Sequence, residues 1–439
     1  MNAHRRVRAA LGVVVAGALP LTGAGMATTA SAASAVPATP AVTAEPAARA
    51  ADATPAAAVD DPLALSRQVR DAAEQAASAP AARTLTADAG IRRQLDRAVS
   101  TLVDDGAVAV TARVETPDLT WSGADGVREL GGHAPARADD PFRVASNTKP
   151  MIATLVMQEI EKGTWTLDTS VEDVLPGALP RDVTIEQLLS HTSGAPTASE
   201  YLILDKMQDP TDIDEYFEVL GEHYSDGDHV RAVHTAPWML EPGTGFSYSN
   251  AGFVTLGMML EKVNRTDLDE LLEERVFEPA GMRRSDYPES PRKRGPFLAD
   301  AAYTGADGAG WYSIRHFDPT LFRAAGAVTS TTKDLAAFNE ALVTGELVEP
   351  ETVTDMLTPR SAETIEYGLG TYRLPDPCVP GEYLYGHDGA SFGTLSVNLT
   401  SLDGERQVSL GVTGRNVTAD PEALYDLSDL LVPMFEATC

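Results

Sequence analysis

Only two of the 439 residues are cysteine, Cys378 and Cys439. That is too few for a disulfide-built scaffold or a cysteine-ligated metal centre. The eight histidines show no H-E-x-x-H or equivalent ligand spacing, and no glycine-rich phosphate loop occurs, so neither a metal nor any other cofactor is expected. Basic residues are scarce: 34 Lys and Arg stand against 64 Asp and Glu, a formal net charge of −30. A field of that sign repels polyanions, which argues against nucleic acid and anionic membrane surfaces as partners. Aromatics make up only 6% of the chain, but 43% of it is hydrophobic, enough to bury one large core or two at most.

Long apolar runs are also missing. The longest candidate lies at the N-terminus, where Arg5, Arg6 and Arg8 precede an apolar segment from Ala9 to about Leu21, and Ala30-Ser31-Ala32 follows. This reads as a secretory signal over residues 1–32, cut after about Ala32, and Pro20, Gly23 and Gly25 make it too broken to span a membrane. The mature protein is therefore expected to be secreted, monomeric and free of stable membrane insertion. In an oxidising exterior the two cysteines most simply pair with each other, closing a loop of about sixty residues for roughly 4 kcal/mol. Residues 33–90, rich in Ala and Pro, read as a linker or loosely held N-terminal arm with a short helix around "DPLALSRQVRDAAEQAA". The remaining 91–439 form the domain.

Within it, Leu95, Val99 and Leu102 recur at helical spacing before Gly106, and "AVAVTARVE" and "LTWSGADGVREL" alternate as paired strands. "FRVASNTKPMIATLVMQEIEKG" predicts a helix whose start Pro150 pins to Ser146 or Asn147. Thr184 and Gln187 are spaced as a capping box, residues 201–240 read as an acidic helical cap, and Asn250 is placed as the N-cap of the next helix. After about Leu369 the pattern turns to strands, with a final helix from about Pro421 to Phe435. The fold class is α+β: an antiparallel sheet flanked by N- and C-terminal helices, plus an all-helical region.

A literal G-x-S-x-G stands at Gly389–Gly393 and nominates Ser391. A nucleophile elbow needs a helix directly after the serine, whereas "FGTLSVNLTSLDGERQVSL" alternates and turns like a hairpin. Ser146 fits better. It opens an amphipathic helix, near free amides and the positive end of the dipole, with Lys149 one turn on. That is the S-x-x-K arrangement, in which an amine takes or polarises the serine proton.

Ser146 and Lys149 have ordered company: "VASNTK", "LLSHTSG", "PGTGFSYSNAGF", "FEPAGM", "AAGAVTSTTKDLAAF" and "YGHDG" follow one another along the chain. Together they resemble the serine β-lactamase-related superfamily, near class C β-lactamases and secreted D-alanyl-D-alanine carboxypeptidases. The resemblance implies a β-lactamase/transpeptidase-like fold. It makes Ser146 the acylated nucleophile, Lys149 its proton partner, Tyr248 the general base and Asn250 a donor to the substrate amide. His387 belongs to the third motif and is taken as catalytic; the amides of Ser146 and Ala390 form the oxyanion hole. Asp388, Gly389 and Ala390 line the substrate. A tyrosine base near neutral pH requires nearby cations, for which Lys149 and His387 are the candidates. Asp388 stands where relatives usually offer a hydroxyl, and an ionised Asp388 would repel a terminal carboxylate. The expected activity is D-alanyl-D-alanine carboxypeptidase on cell-wall peptides. An esterase, D-aminopeptidase or β-lactamase on the same fold, or a silent module that binds penicillin or cell-wall peptide, are the alternatives. Expected partners are a small peptide, β-lactam or ester, and peptidoglycan.

Overall fold

The strand Gln407–Thr413 is buried at all seven positions, so both faces of its sheet are covered. The computed structural model describes residues 61–78, 88–291, 296–305, 310–361, 365–418 and 424–439, all within one unit, Pro46–Cys439. The signal-peptide reading and the stretch 33–60 lie outside the described residues.

Seven antiparallel strands form the sheet: β1 (Ala109–Glu115), β2 (Thr120–Gly126), β3 (Glu366–Tyr367), β4 (Tyr372–Pro375), β5 (Tyr383–Ala390), β6 (Thr394–Ser401) and β7 (Gln407–Thr413). Their spatial order is β2-β1-β7-β6-β5-β4-β3, which brings the two ends of the domain together in the middle of the sheet. The β5–β6 hairpin sets Gly389 opposite Ser396 and Asp388 opposite Val397.

One face packs on helices from both ends of the domain: α1 (Ala64–Ser78), α2 (Asp88–Asp104) and α6 (Ser428–Ala437). Leu95, Val99 and Leu102 of α2 and Leu430, Leu431 and Met434 of α6 meet Val110, Val397 and Leu410 there. The helix expected in the N-terminal arm exists as α1 and is firmly seated. Leu65, Val69, Ala72, Ala73 and Ala76 form a buried stripe against α6 and strands β4 and β5. Small alanines let α1 approach its neighbours closely, so a stripe poor in large side chains still packs.

The other face carries the helical region built around α3 (Thr148–Glu161), α4 (Asn250–Asn264) and α5 (Thr332–Val343). The Thr184–Gln187 capping box forms as expected, and the acidic segment folds into Ser199–Lys206, Ile213–Val219 and Asp226–Thr235. Two boundaries differ from expectation. Ser249, not Asn250, caps α4, its hydroxyl accepting from the Gly252 N–H at 3.0 Å. The last helix begins at Ser428. Cys378 and Cys439 are disulfide-bonded. Among the described residues no helix is long and apolar enough to cross a membrane.

Candidate active site

Pro150 sits in the first turn of α3, where a missing N–H costs nothing, and a 3₁₀ turn, Ala145–Asn147, leads into it. Ala145 has φ +47°, a left-handed conformation that costs a non-glycine residue on the order of 1 kcal/mol or more. It turns the chain sharply at Ser146. Lys149, fully buried, then stands one turn further along the helix. Its Nζ donates to three acceptors: Ser146 Oγ at 2.9 Å, Asn250 Oδ1 at 2.9 Å and the Ala325 carbonyl at 2.8 Å. Three donated bonds describe the ammonium, but burial holds the Lys149 pKa well below the ordinary lysine range, with Asp388 partly opposing the shift. Burial so favours the neutral amine, whose two N–H groups keep Asn250 and Ala325 while its lone pair faces Ser146 Oγ.

Tyr248 lies over this amine, Nζ being 4.8 Å from its ring centroid, and its phenol faces Ser146 across the cleft that both line. The expected lowering of the phenol is not found. Burial raises the Tyr248 pKa well above 10, Asp388 adds to it, and the contact with Ser146 only partly offsets them. Nor is His387 a cation. Burial and the Lys149 charge push its pKa down to about 3; its Nδ1–H donates to the Asp388 carbonyl, and Nε2 accepts from the Tyr367 hydroxyl at 3.0 Å. His387 is a neutral, buried support beneath Tyr248, set back from the cleft surface.

The β5 strand runs against the nucleophile. A Cβ on Gly389 would lie 2.3 Å from the Val144 carbonyl oxygen, 2.5 Å from Ser396 Oγ and 2.9 Å from the Ser146 nitrogen. Only glycine permits that approach, and it brings the Ala390 end of the strand beside Ser146. Ser391 follows Ala390 in the turn between β5 and β6, and its hydroxyl donates to Asp300 Oδ2 at 3.2 Å. No helix follows it, so the G-x-S-x-G is part of a hairpin.

A cleft of about 1180 Å³ opens over Ser146, Tyr248, Asn250, Asp388 and Ala390. Asp388 is buried, and Ser66 of α1 donates to its Oδ1 at 2.7 Å. Burial pushes the Asp388 pKa up to about 6, with Ser66, Tyr372 and Lys149 pulling the other way. Arg415 also lines the cleft, and it donates to the Ser391 carbonyl.

Three contributors escaped the sequence reading. His191 stacks on Tyr248 at 4.2 Å, and its Nδ1 accepts from the Ser249 N–H at 3.1 Å. Ala325 supplies the third acceptor of Lys149 through its carbonyl. Ser66 comes from the arm. The first two lie inside motifs already singled out, "LLSHTSG" and "AAGAVTS", which was the available signal; Ser66 had none. Among the described residues no cluster of three or more His, Cys, Asp or Glu could hold a metal ion.

A helix-start serine bonded to a buried lysine, roofed by tyrosine and closed by a glycine-bearing strand, defines the S-x-x-K type of serine hydrolase site. The chain belongs to the Beta-lactamase family, whose sequence model matches residues 84–400. It is 29% identical to penicillin-binding protein 4 of Amycolatopsis lactamdurans, over 62% of this chain and 72% of that one. It is 32% identical to esterase EstB of Burkholderia gladioli over 40% of this chain, a match that spans 46% of the esterase. Among solved structures, a D-stereospecific amidohydrolase from Streptomyces sp. aligns with a TM-score of 0.64 at 25% identity, covering 74% of this chain and 94% of that one.

Proposed function

We propose that the protein is an exported serine amidohydrolase that forms an acyl-enzyme on Ser146 from small D-amino-acid peptides, with D-alanyl-D-alanine carboxypeptidase as its leading activity. The observation that carries this reading is the coordination of Lys149 Nζ by Ser146 Oγ, Asn250 Oδ1 and Ala325 O. An amine so placed, with its basicity lowered by burial, is the group suited to accept the Ser146 proton near neutral pH.

In the first step Ser146 Oγ attacks the acyl carbonyl while its proton passes to the lone pair of neutral Lys149, whose two N–H groups stay on Asn250 Oδ1 and Ala325 O. The developing oxyanion sits between the amides of Ser146 and Ala390. Tyr248, kept as a phenol, then donates its proton to the departing amine and is reprotonated through Lys149. This leaves an ester on Ser146. Water repeats the sequence in reverse roles, releasing the acid and restoring the hydroxyl. Asn250 Nδ2 is the donor available to the acyl amide. Arg415, on the cleft wall, supports recognition of a terminal carboxylate.

A second reading has its own observation. Asp388 places a carboxyl group on the same cleft, which favours substrates without a terminal carboxylate: amides, esters or peptides with a free amine. Mass spectrometry after brief exposure to a penicillin and, separately, to a neutral activated ester tests both. A penicilloyl group on the peptide holding Ser146 supports the carboxypeptidase form; ester acylation there without penicilloylation supports the amidase or esterase form. Labelling at Ser391, or a Ser146→Ala protein that keeps its hydrolytic activity, overturns the assignment.

A further inference from the structure

Helix α1 precedes the stretch matched by the family model, which begins at residue 84, yet it builds one wall of the cleft. Leu65, Gln68, Asp71, Ala72 and Gln75, at helical spacing, line the cavity that holds Ser146. On the edge of this face Ser66 is buried, and its hydroxyl donates to Asp388 Oδ1 at 2.7 Å, across 322 residues of sequence. Asp388 lies two residues from Ala390 along an extended strand, within about 7 Å of the proposed oxyanion amide, and it lines the same cleft as Ser146.

The groups around Asp388 come from every element packed on it. Ser66 of α1 donates to it, and Tyr372 of β4, whose hydroxyl has no well-aligned hydrogen bond, faces it. Tyr367 of β3 and Tyr248 feel its charge, Lys149 of α3 attracts it, and His387 beside it on β5 is neutral. Lys149 is the one basic group in this set besides the neutral His387, and its amine is already committed to Ser146, Asn250 and Ala325. The carboxyl therefore has no dedicated ion-pair partner, and its protonation is free to change the character of the cleft.

Resting on the serine-amidohydrolase reading above, we propose that Asp388, tethered by Ser66, is the residue that selects the substrate's leaving-group end. As a carboxylate it rejects a terminal carboxylate; as a carboxylic acid it presents a hydroxyl that admits one. The arm helix is then part of the specificity machinery, and the carboxypeptidase and amidase forms of the activity are two protonation states of one site. Near-neutral titration of this group, raised by burial to about 6, fits such a selector.

The test uses the full-length protein and a minimal pair of substrates, N-acetyl-D-Ala-D-Ala and the same dipeptide with its C-terminus amidated. Their ratio of kcat/KM cancels titrations of the shared chemistry. In the wild type the acid-to-amide ratio falls at least tenfold from pH 5 to pH 8. Asp388→Ser flattens that dependence and raises the ratio at pH 8. Ser66→Ala removes a donor that favours the carboxylate, so the midpoint moves to higher pH, and Ser66→Thr moves it back. A ratio independent of pH in the wild type, or an unchanged slope in Asp388→Ser, overturns the proposal, as does failure to hydrolyse either dipeptide while a neutral activated ester still acylates Ser146. If that ester leaves Ser146 unlabelled, the underlying hydrolase reading falls as well.

Discussion

Replacing Gly389 with alanine adds one methyl group where three atoms already stand. The new Cβ would meet the Val144 carbonyl at 2.3 Å, Ser396 Oγ at 2.5 Å and the Ser146 nitrogen at 2.9 Å. None is the tip of a flexible chain: Ser396 Oγ itself donates to Val144 O at 2.7 Å and accepts from Asn147 Nδ2 at 2.8 Å. The hairpin must therefore move away from the start of α3. Overpacking of this kind costs about 1–3 kcal/mol, a Tm loss of several degrees that a domain of this size survives. The effect on chemistry is larger. Moving β5 separates the Ala390 amide from the Ser146 amide, the two oxyanion donors of the proposed mechanism, and loss of one such donor lowers kcat by roughly 10²–10³-fold. The assay pairs a thermal melt with the rate of Ser146 acylation by a p-nitrophenyl ester. A folded Gly389→Ala protein that acylates at the wild-type rate would refute the claim that the glycine holds the oxyanion geometry.

Lys149→Met should cut acylation by three orders of magnitude or more, measured by ester burst, while leaving the melting temperature unchanged or raised, because a desolvated ammonium is removed. The sign follows from the lowered pKa of Lys149: its cost to the wild type is full at low pH and relieved as pH rises through the folded pKa, so the variant's stability advantage should shrink with rising pH. Ser391→Ala should retain acylation and lose about 1 kcal/mol in denaturant unfolding, the worth of its buried bond to Asp300. Acid should destabilise the fold between pH 6.5 and about 3, because His229 and His387 are held down to about 4 and about 3, and His191 well below its ordinary value. His229 alone contributes about 3 kcal/mol over that window. Asp388, raised to about 6, acts in the opposite sense but is one group against three. A melting temperature flat from pH 6.5 to 4 would show that the histidines are not buried neutral.

Ser146, Lys149 and Tyr248 were legible because each announces itself locally, by a helix start or a motif a few residues long. Their electrostatics were not. Whether Tyr248 is a phenolate or a phenol depends on its surroundings, supplied by His191, Tyr367 and Asp388 from three other parts of the chain. The same holds for His387, read as a cation near the base and found as a neutral imidazole between Tyr367 and its own strand. The close seating of the arm helix was not legible for a different reason. Its buried stripe is three-fifths alanine, which composition alone cannot tell from a linker, and the group that gives it function, Ser66, bonds a residue 322 positions away.

The shift of a single cap position ties fold to site. Had Asn250 capped α4, its side-chain oxygen would have been turned back onto the helix's own amides. Ser249 takes that duty instead, accepting from Gly252 N–H while donating to the Pro196 carbonyl at 2.8 Å. Asn250 thereby becomes the first helical residue, and its Oδ1 is free to accept from Lys149 at 2.9 Å. In Tyr-Ser-Asn the three neighbours divide the work: the tyrosine faces the nucleophile, the serine starts the helix, and the asparagine reaches the amine.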